Sequence, residues 1–373
     1  MQKRRCGKTG IDLTAIGFGA MRLHGPDTKH WADIVAEAAA AGFNYFETSA
    51  RYCNSTSETK VGEGLKDCRD HVYISTKSAP RDVPTADEVR TSIDESLRKL
   101  QVEYVDFYQL WDTKLAEFEN IAAKKGGTLE GVRRAMNEGL IRHLGITTHD
   151  TPEKMLALLA TEEFESVTVQ YNLLNMTAEP VIAEAARRGM GVIAMGPLHG
   201  GILAADSPFL QRLVDEGAGE TTAEVAMRFA LSNPNVTCAI SGMTSLGDVA
   251  ANKKIADRLR PLNARERAVL DERIREFPAA AGRVCTLCEY CMPCPKDIWI
   301  PGVMTLVGMA ELLGFEDEAA RRYAEYARGW ADAGSEGAPC VECGHCVEMC
   351  PQGIDVPAEL KRAHAIFTKR DCN

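Results

Sequence analysis

No run in this chain is long and apolar enough to cross a bilayer. The longest uncharged stretch, GMGVIAMGPLHGGILAA (189–205), is interrupted by glycine and falls short of the roughly 20 residues a span requires. The first twenty residues carry basic side chains but no apolar core ahead of Gly7 and Asp12, so no secretory leader is read there. Excess positive charge is also missing: the net charge is −10 and the isoelectric point about 5.4. That balance argues against a nucleic-acid binder and against attraction to an anionic membrane, and reads as a solvated acidic face. Low-complexity tracts are lacking, and no G-x-G-x-x-G follows the first strand-like run, which weakens an open dinucleotide-binding sheet. The expected location is the cytoplasm, where thiols stay reduced. Cysteine is what the chain does not lack. Thirteen in a reducing compartment point to metal rather than to disulfides.

The 373 residues, 45% apolar and 26% charged, have a globular balance and exceed one ordinary core. Strand-like apolar runs recur at 13–23, 45–49, 71–77, 105–110, 141–147, 166–172, 191–198 and 236–242. Helical patterns lie between them, for instance at 30–41, 86–100, 152–161 and 221–232. Eight strands alternating with helices over about 255 residues match a closed (β/α)8 TIM barrel better than an open sheet. A charged helix over 262–277 ends this region, and Pro278 and Gly282 read as a linker. The expectation is an α/β chain: a (β/α)8 barrel over 1–277 and a C-terminal helical, two-cluster ferredoxin-like domain over 278–373.

That second domain is read from its cysteines. Cys340-x2-Cys343-x2-Cys346-x3-Cys350-Pro351 has the bacterial ferredoxin spacing. Cys285-x2-Cys288-x2-Cys291-x2-Cys294-Pro295 repeats it with one residue fewer before the last cysteine. Three cysteines at this spacing wrap one cluster, because each thiolate must reach a separate iron, and the fourth ligates the other cluster. The spacing thus predicts one [4Fe–4S] cluster on Cys285, Cys288, Cys291 and Cys350. The second uses Cys294, Cys340, Cys343 and Cys346. Paired C-x-x-C motifs also build zinc sites, but those use pairs, not triplets followed by Cys-Pro. His345 reads as a solvent-facing loop histidine. Cys6, Cys53, Cys68, Cys238 and Cys372 show no ligand spacing.

In a barrel, function sits at the carboxyl ends of the strands. Those ends carry Glu47, Tyr52 in the loop after it, Lys77, and Trp111. A tyrosine beside a buried lysine is an acid–base device: the ammonium favours the phenolate, and a carboxylate such as Glu47 holds the lysine charged and oriented.

The stretch GFNYFETSARYCNSTSETKVGEGLK (42–66) resembles the aldo-keto reductase motif G-x-x-x-x-D-T-A-x-x-Y-x-x-S-E-x-x-V-G. VYISTK (72–77), VDFYQLW (105–111), GLIRHLGIT (139–147), VQYN (169–172), MGPLHGG (195–201) and the spacing from Gly242 to Asn252 resemble that family in the same order. With its tail, the chain is similar to bacterial and archaeal aldo-keto reductases fused to a 4Fe–4S ferredoxin-type domain. The resemblance implies a (β/α)8 barrel that reduces carbonyls with NADP(H) or NAD(H). It places Tyr52 and Lys77 at the family's acid and lysine positions. Glu47 stands for the family's Asp and is one methylene longer. Trp111 stands for its His, and an indole N–H donates but does not titrate. Thr147, Gln170 and Asn172 would contact the nicotinamide carboxamide, and Met195-Gly196-Pro197-Leu198 fills the slot where relatives stack an aromatic. Gly242, Ser245, Asp248 and Asn252 follow the last strand, where the family's 2′-phosphate arginine is missing. Asp248 fits a ribose hydroxyl instead, and Lys253 and Lys254 offer point charges.

The function so implied is an oxidoreductase acting on a small carbonyl or conjugated enone. Electrons would come from NAD(P)H, from the two clusters, or from both. A hydride carries two electrons and a cluster one, so an external ferredoxin or flavoprotein is the implied electron partner. The alternative is a catalytically altered barrel serving as a non-enzymatic electron-transfer, redox-sensing or docking module. Substrate contacts are expected from 112–126 and 199–220.

Overall fold

The computed structural model describes residues 1–205, 208–215, 219–276, 285, 289–328 and 340–368. Pro278, Gly282, Cys288 and Cys372 lie outside the described residues. No helix among the described residues is long and apolar enough to cross a membrane.

Two short strands, β1 (Lys3–Arg5) and β2 (Asp12–Thr14), form an antiparallel hairpin ahead of the barrel. Eight parallel strands then follow: β3 (Ile16–Gly19), β4 (Tyr45–Glu47), β5 (Tyr73–Ser78), β6 (Val105–Leu110), β7 (Ile141–Thr147), β8 (Ser166–Gln170), β9 (Gly191–Met195) and β10 (Cys238–Gly242). They close in sequence order, with β10 pairing β3 through Ala239↔Ile16. Strands covered on both faces need apolar side chains throughout, which is why the runs read as continuous rather than alternating. The run at 13–23 is the exception. The chain breaks it at Ala15, because Thr14 turns aside to accept and give hydrogen bonds: its N–H donates to Asn44 Oδ1 at 2.7 Å and its hydroxyl to Ile16 O at 2.8 Å. Leu13 of this hairpin and Cys6 just past β1 pack with Tyr45, Phe107, Ile193 and Cys238 in one apolar cluster.

The surrounding helices start and stop on local chemistry. The helix Ala86–Leu100 opens on a capping box in which Thr85 and Glu88 satisfy each other's backbone N–H groups, and Gln101 closes it in the left-handed region at φ 57°. Gly62, on the helix Ser57–Leu65, lies where a Cβ would meet the carbonyl oxygen of Leu100 at 2.5 Å. Only glycine allows these two helices that approach.

Packing divides the chain into two compact units, 1–197 with 227–261 and 198–226 with 262–373. In the second, the helices Ile300–Leu313, Glu316–Arg328 and Val356–Thr368 share a core that includes Val303, Met304, Tyr323, Leu360 and Phe367. Gly314, at φ 72°, ends the first of them. Tyr323 is hydrogen-bonded to His364 Nδ1 at 3.0 Å inside this core.

Candidate active site

Parallel pairing sets the strand ends of the barrel side by side. Glu47 is the last residue of β4 and pairs in register with Ser75, two residues before Lys77 on β5. Their side chains meet in an ion pair, and both are almost fully buried. The Lys77 ammonium also donates to Thr48 O at 2.8 Å and lies 4.4 Å from the centre of the Tyr52 ring. The Tyr52 and Trp111 rings meet edge to face, 5.8 Å apart. Glu47, Tyr52, Lys77 and Trp111 therefore converge. Burial pushes the Lys77 ammonium well below the ordinary lysine range. The Glu47 carboxylate in contact with it favours the charged form and so opposes that shift.

Tyr52 is held on an uncommon turn. Cys53, Asn54 and Ser55 all lie in the left-handed region, at φ 55°, 55° and 63°. Asn tolerates that region; Cys and Ser do not favour it, and each costs on the order of 1 kcal/mol or more. The turn is pinned from outside. Ser57 Oγ donates to Ala20 O at 3.0 Å, and the Lys60 ammonium donates to Leu23 O, Gly25 O and Thr56 Oγ1 at 2.7–2.9 Å.

The residues expected around a nicotinamide line the exits of the later strands. Thr147 ends β7, and its Oγ1 accepts from Asp112 N at 2.7 Å. Gln170 ends β8 and is buried. Asn172 is fully buried; its Nδ2 donates to Gly196 O at 2.8 Å, and its Oδ1 accepts from Leu174 N and Asn175 N. Met195 ends β9, Gly196 takes φ 62°, and Pro197 is buried. Leu198 precedes the short helix His199–Ala204 and belongs to the second unit.

Gly242 ends β10. Ser245 caps the helix Leu246–Asp257 by accepting from Asp248 N, while Asp248 Oδ2 turns back to Thr244 N and Oγ1 at 2.8 and 2.9 Å. Lys253 is paired with Asp257. Asn252 Nδ2 donates to Asp248 O at 2.9 Å. Its Oδ1 is buried and accepts from nothing among the described residues.

Sequence reasoning singled out none of three side chains at the same end of the barrel, Asp112, Arg81 and His149, although Asp112 lies in the 112–126 segment expected to contact substrate. Asp112 follows Trp111, is nine-tenths buried, and pairs through Oδ2 with Arg81 Nη2 at 3.2 Å. Arg81 also pairs with Glu117 at 3.2 Å. His149 stands two residues past β7. The rule that picked Glu47 and Lys77, a polar residue at or just beyond a strand's carboxyl end, would have found all three.

In the second unit, Cys291, Cys294, Cys340, Cys343 and Cys346 line one small pocket, with Pro295, Lys296 and the exposed His345 also in its wall. Cys285 and Cys350 pack against the same apolar core as Cys346. Burial raises the Cys346 thiol above its ordinary range, and the neighbouring thiols Cys340, Cys343 and Cys294 add to the rise. Cys340 Sγ accepts from Glu342 N at 3.4 Å. Among the described residues, no three His, Cys, Asp or Glu side chains close to the spacing of ligands on a single metal ion.

Comparison with known proteins bears on the barrel. The Aldo/keto reductase family profile matches residues 15–274, ending before both cysteine runs. L-galactose dehydrogenase of Arabidopsis thaliana is 27% identical over 292 residues, covering 70% of this chain and 90% of that protein. The holo form of aldo-keto reductase AKR11C1 from Bacillus halodurans superposes with a TM-score of 0.64 at 25% identity, over 73% of this chain and 96% of that one. An aldo/keto reductase from Klebsiella pneumoniae, solved with NADP and acetate, has the same fold at a TM-score of 0.61 and 24% identity, over 73% and 95%.

Proposed function

Because the chain belongs to the aldo/keto reductase family and is an oxidoreductase, we propose that it reduces a small carbonyl or conjugated enone at the mouth of its barrel. One observation carries this reading: the buried Lys77 ammonium touches both the Glu47 carboxylate and the Tyr52 ring. A family barrel that had abandoned chemistry would have no use for a buried cation against a phenol, which speaks against a purely docking or sensing role. Tyr52 gives a proton to the substrate oxygen. Lys77 stabilises the phenolate left behind, and Glu47 keeps Lys77 charged. Trp111 walls the site with an indole that donates but carries no proton through, and its face suits a conjugated or ring-bearing substrate.

NADP(H) or NAD(H), when bound, supplies the hydride to the substrate carbon. The chain fits such a group best at the adenine end, where the buried Asn252 Oδ1 is an acceptor suited to an exocyclic amine. The backbone N–H groups of the helix that Ser245 caps suit a phosphate. Thr147, Gln170, Met195, Gly196, Pro197 and Leu198 would surround the nicotinamide, with Asn172 shaping Gly196 behind it. Gly242 leaves room for backbone approach at the exit of β10. Asp248 is committed to Thr244 and weakens the case for a ribose contact.

The second unit is proposed to hold two [4Fe–4S] clusters in a domain over 278–373. Cys294, Cys340, Cys343 and Cys346, the predicted second ligand set, line one pocket, which Cys291 of the first set also lines. The first cluster would use Cys285, Cys288, Cys291 and Cys350, of which Cys288 lies outside the described residues. A cluster supplies single electrons, exchanged with an external ferredoxin or flavoprotein. The test is a titration of oxygen-free protein with NADPH and with NADH, following the visible absorbance of the clusters beside iron and sulfide assays. About eight irons per chain, bleached by either nucleotide, support a coupled reductase. Zinc in place of iron ends the electron-carrier half; absence of nucleotide binding ends the hydride half.

A further inference from the structure

The exits of β4 and β6 carry the two aromatic rings of the site, Tyr52 and Trp111, and the turn after β5, which lies between them, is bonded to both. Pro80 and Pro84 flank this turn and fix φ at its two ends. It closes on itself through Asp82 N and Val83 N, which both donate to Ala79 O, and Thr128 Oγ1 donates to Val83 O at 2.7 Å from the helix behind. From this bracket Arg81 reaches the β6 exit. Its backbone N–H donates to Glu117 Oε1 at 2.8 Å, and its guanidinium donates to Asp112 O at 3.0 Å, to Asp112 Oδ2 at 3.2 Å and to Glu117 Oε2 at 3.2 Å. Asp82 reaches the other way and pairs with Arg51, the residue before Tyr52, at 2.9 Å. Arg51 is mostly exposed, so that pair contributes little. The Arg81 contacts are better buried and engage backbone as well as carboxylate.

What Arg81 holds is a strained residue. Asp112 lies at φ 45°, where a non-glycine residue persists only if its surroundings over-determine it. Here they do. Its N–H donates to Thr147 Oγ1 at 2.7 Å, while its carbonyl oxygen and one carboxylate oxygen are both taken by Arg81. Trp111, one residue earlier, donates its backbone N–H to Ser78 O at 3.0 Å. Its backbone is therefore fixed on one side by β5 and on the other by the Asp112 turn. Trp111 is buried, and its ring meets Tyr52 edge to face. We propose that Arg81 is a positioning residue: by holding Asp112 in the left-handed region it sets the Trp111 ring against Tyr52, and so selects flat, ring-bearing carbonyls over small aliphatic ones. Arg81 touches no reacting atom. The inference rests on the carbonyl-reductase reading above. Guanidinium geometry, rather than charge alone, is what the turn needs. A lysine at 81 keeps a cation beside Glu117 but loses the planar fork that spans Asp112 O and Oδ2 together, since an ammonium is a single point of charge.

The test compares two α-diketones of like chemistry, flat 9,10-phenanthrenequinone and small 2,3-butanedione, with full-length, oxygen-free protein and NADPH. Arg81→Lys should lower kcat/KM for the quinone about 5–50-fold, the range set by releasing a strained left-handed residue, and should change that for butanedione less than about threefold. The loss should appear as a raised KM, because it is lost binding rather than lost chemistry. Asp112→Gly removes the strain, since glycine adopts that φ freely. In the Asp112→Gly background, Arg81→Lys should shift the preference between the two diketones by less than about twofold. A purely structural role would lower both substrates alike in either background. Ring position is read without turnover: acrylamide quenching of tryptophan fluorescence should rise in Arg81→Lys, and the rise should vanish once Trp111→Phe is added. Urea melts check that Arg81→Lys, which keeps the charge beside Glu117, stays folded. Equal losses on both diketones, a preference shift undiminished in Asp112→Gly, or unchanged quenching overturns the proposal. If the quenching behaves as expected but wild type turns over neither diketone, the reductase reading fails and the selection with it, while the placement of Trp111 by Arg81 stands.

Discussion

Removing the Lys77 ammonium exposes the physical cost of the site most directly. In Lys77→Met the Glu47 carboxylate stays almost fully buried and loses its counter-ion. Removing one partner of a buried pair costs about 3–5 kcal/mol, because the remaining charge is neither solvated nor paired. For a barrel of this size that is a fall of about 6–20 °C in the melting temperature. Replacing both partners, Glu47→Leu with Lys77→Met, removes the orphaned charge. It should restore stability to within about 1–2 kcal/mol of wild type. Turnover should remain about 10²–10⁴-fold down in both proteins, since neither has a cation against Tyr52. The pH dependence carries a sign as well. A lysine whose folded pKa is depressed destabilises the fold wherever the unfolded chain binds that proton and the folded one does not. Its penalty is absent above the ordinary lysine pKa of about 10.4 and grows as pH falls toward the depressed folded value. Wild type should therefore gain stability on raising pH through that window, and the double variant should lose this slope. Thermal and urea unfolding from pH 7 to 10.5, with turnover measured alongside, read all of these. Equal destabilisation of the single and double variants, or recovery of turnover in the double, would refute the reasoning.

Three further outcomes follow from the geometry. Tyr52→Phe keeps the ring against Lys77 and Trp111 and removes only the hydroxyl, so kcat should fall about 10²–10⁴-fold with nucleotide affinity unchanged by fluorescence titration. Gly62→Ala forces a methyl to 2.5 Å from Leu100 O, where no side chain can yield, and should destabilise the barrel by about 1–3 kcal/mol in urea melts. Cys294→Ala and Cys346→Ala should remove the same cluster by electron paramagnetic resonance of reduced protein, leaving about four irons. Cys285→Ala should remove the other, and a signal lost in the reverse pairing would show that the runs do not exchange their fourth ligands.

Particular elements show how much was legible beforehand. The helix Ala86–Leu100 falls where its period put it, over 86–100, and the Thr85–Glu88 capping box that opens it is a local feature. The barrel strands fall in the expected runs, β5 passing the end of its run by one residue to Ser78, since strands covered on both faces must be apolar along their length. The β1–β2 hairpin was missed: three-residue strands, one of them Lys-Arg-Arg, carry no alternation, and their pairing is set by contacts such as Thr14 with Asn44 across 30 residues. Asp112 and His149 were missed for a related reason. As residue types in loops they are ordinary, and only the pairing of β6 with β7 brings their chain segments to the same end of the barrel.

The sequence by itself determined whatever depends on nearest neighbours and spacing: the strand–helix period, the cysteine spacing, and a tyrosine and a lysine in the family's order. Tertiary structure alone decided which side chains share space. It set Glu47 on Lys77 and Lys77 under Tyr52, turned Asp248 away to Thr244, left Asn252 Oδ1 without a donor among the described residues, and gathered Cys294 with Cys340, Cys343 and Cys346. The physical reason is range. Propensity and capping act over a few residues of chain, whereas desolvation and charge act over a few ångströms of space, and only the closed fold turns the one distance into the other.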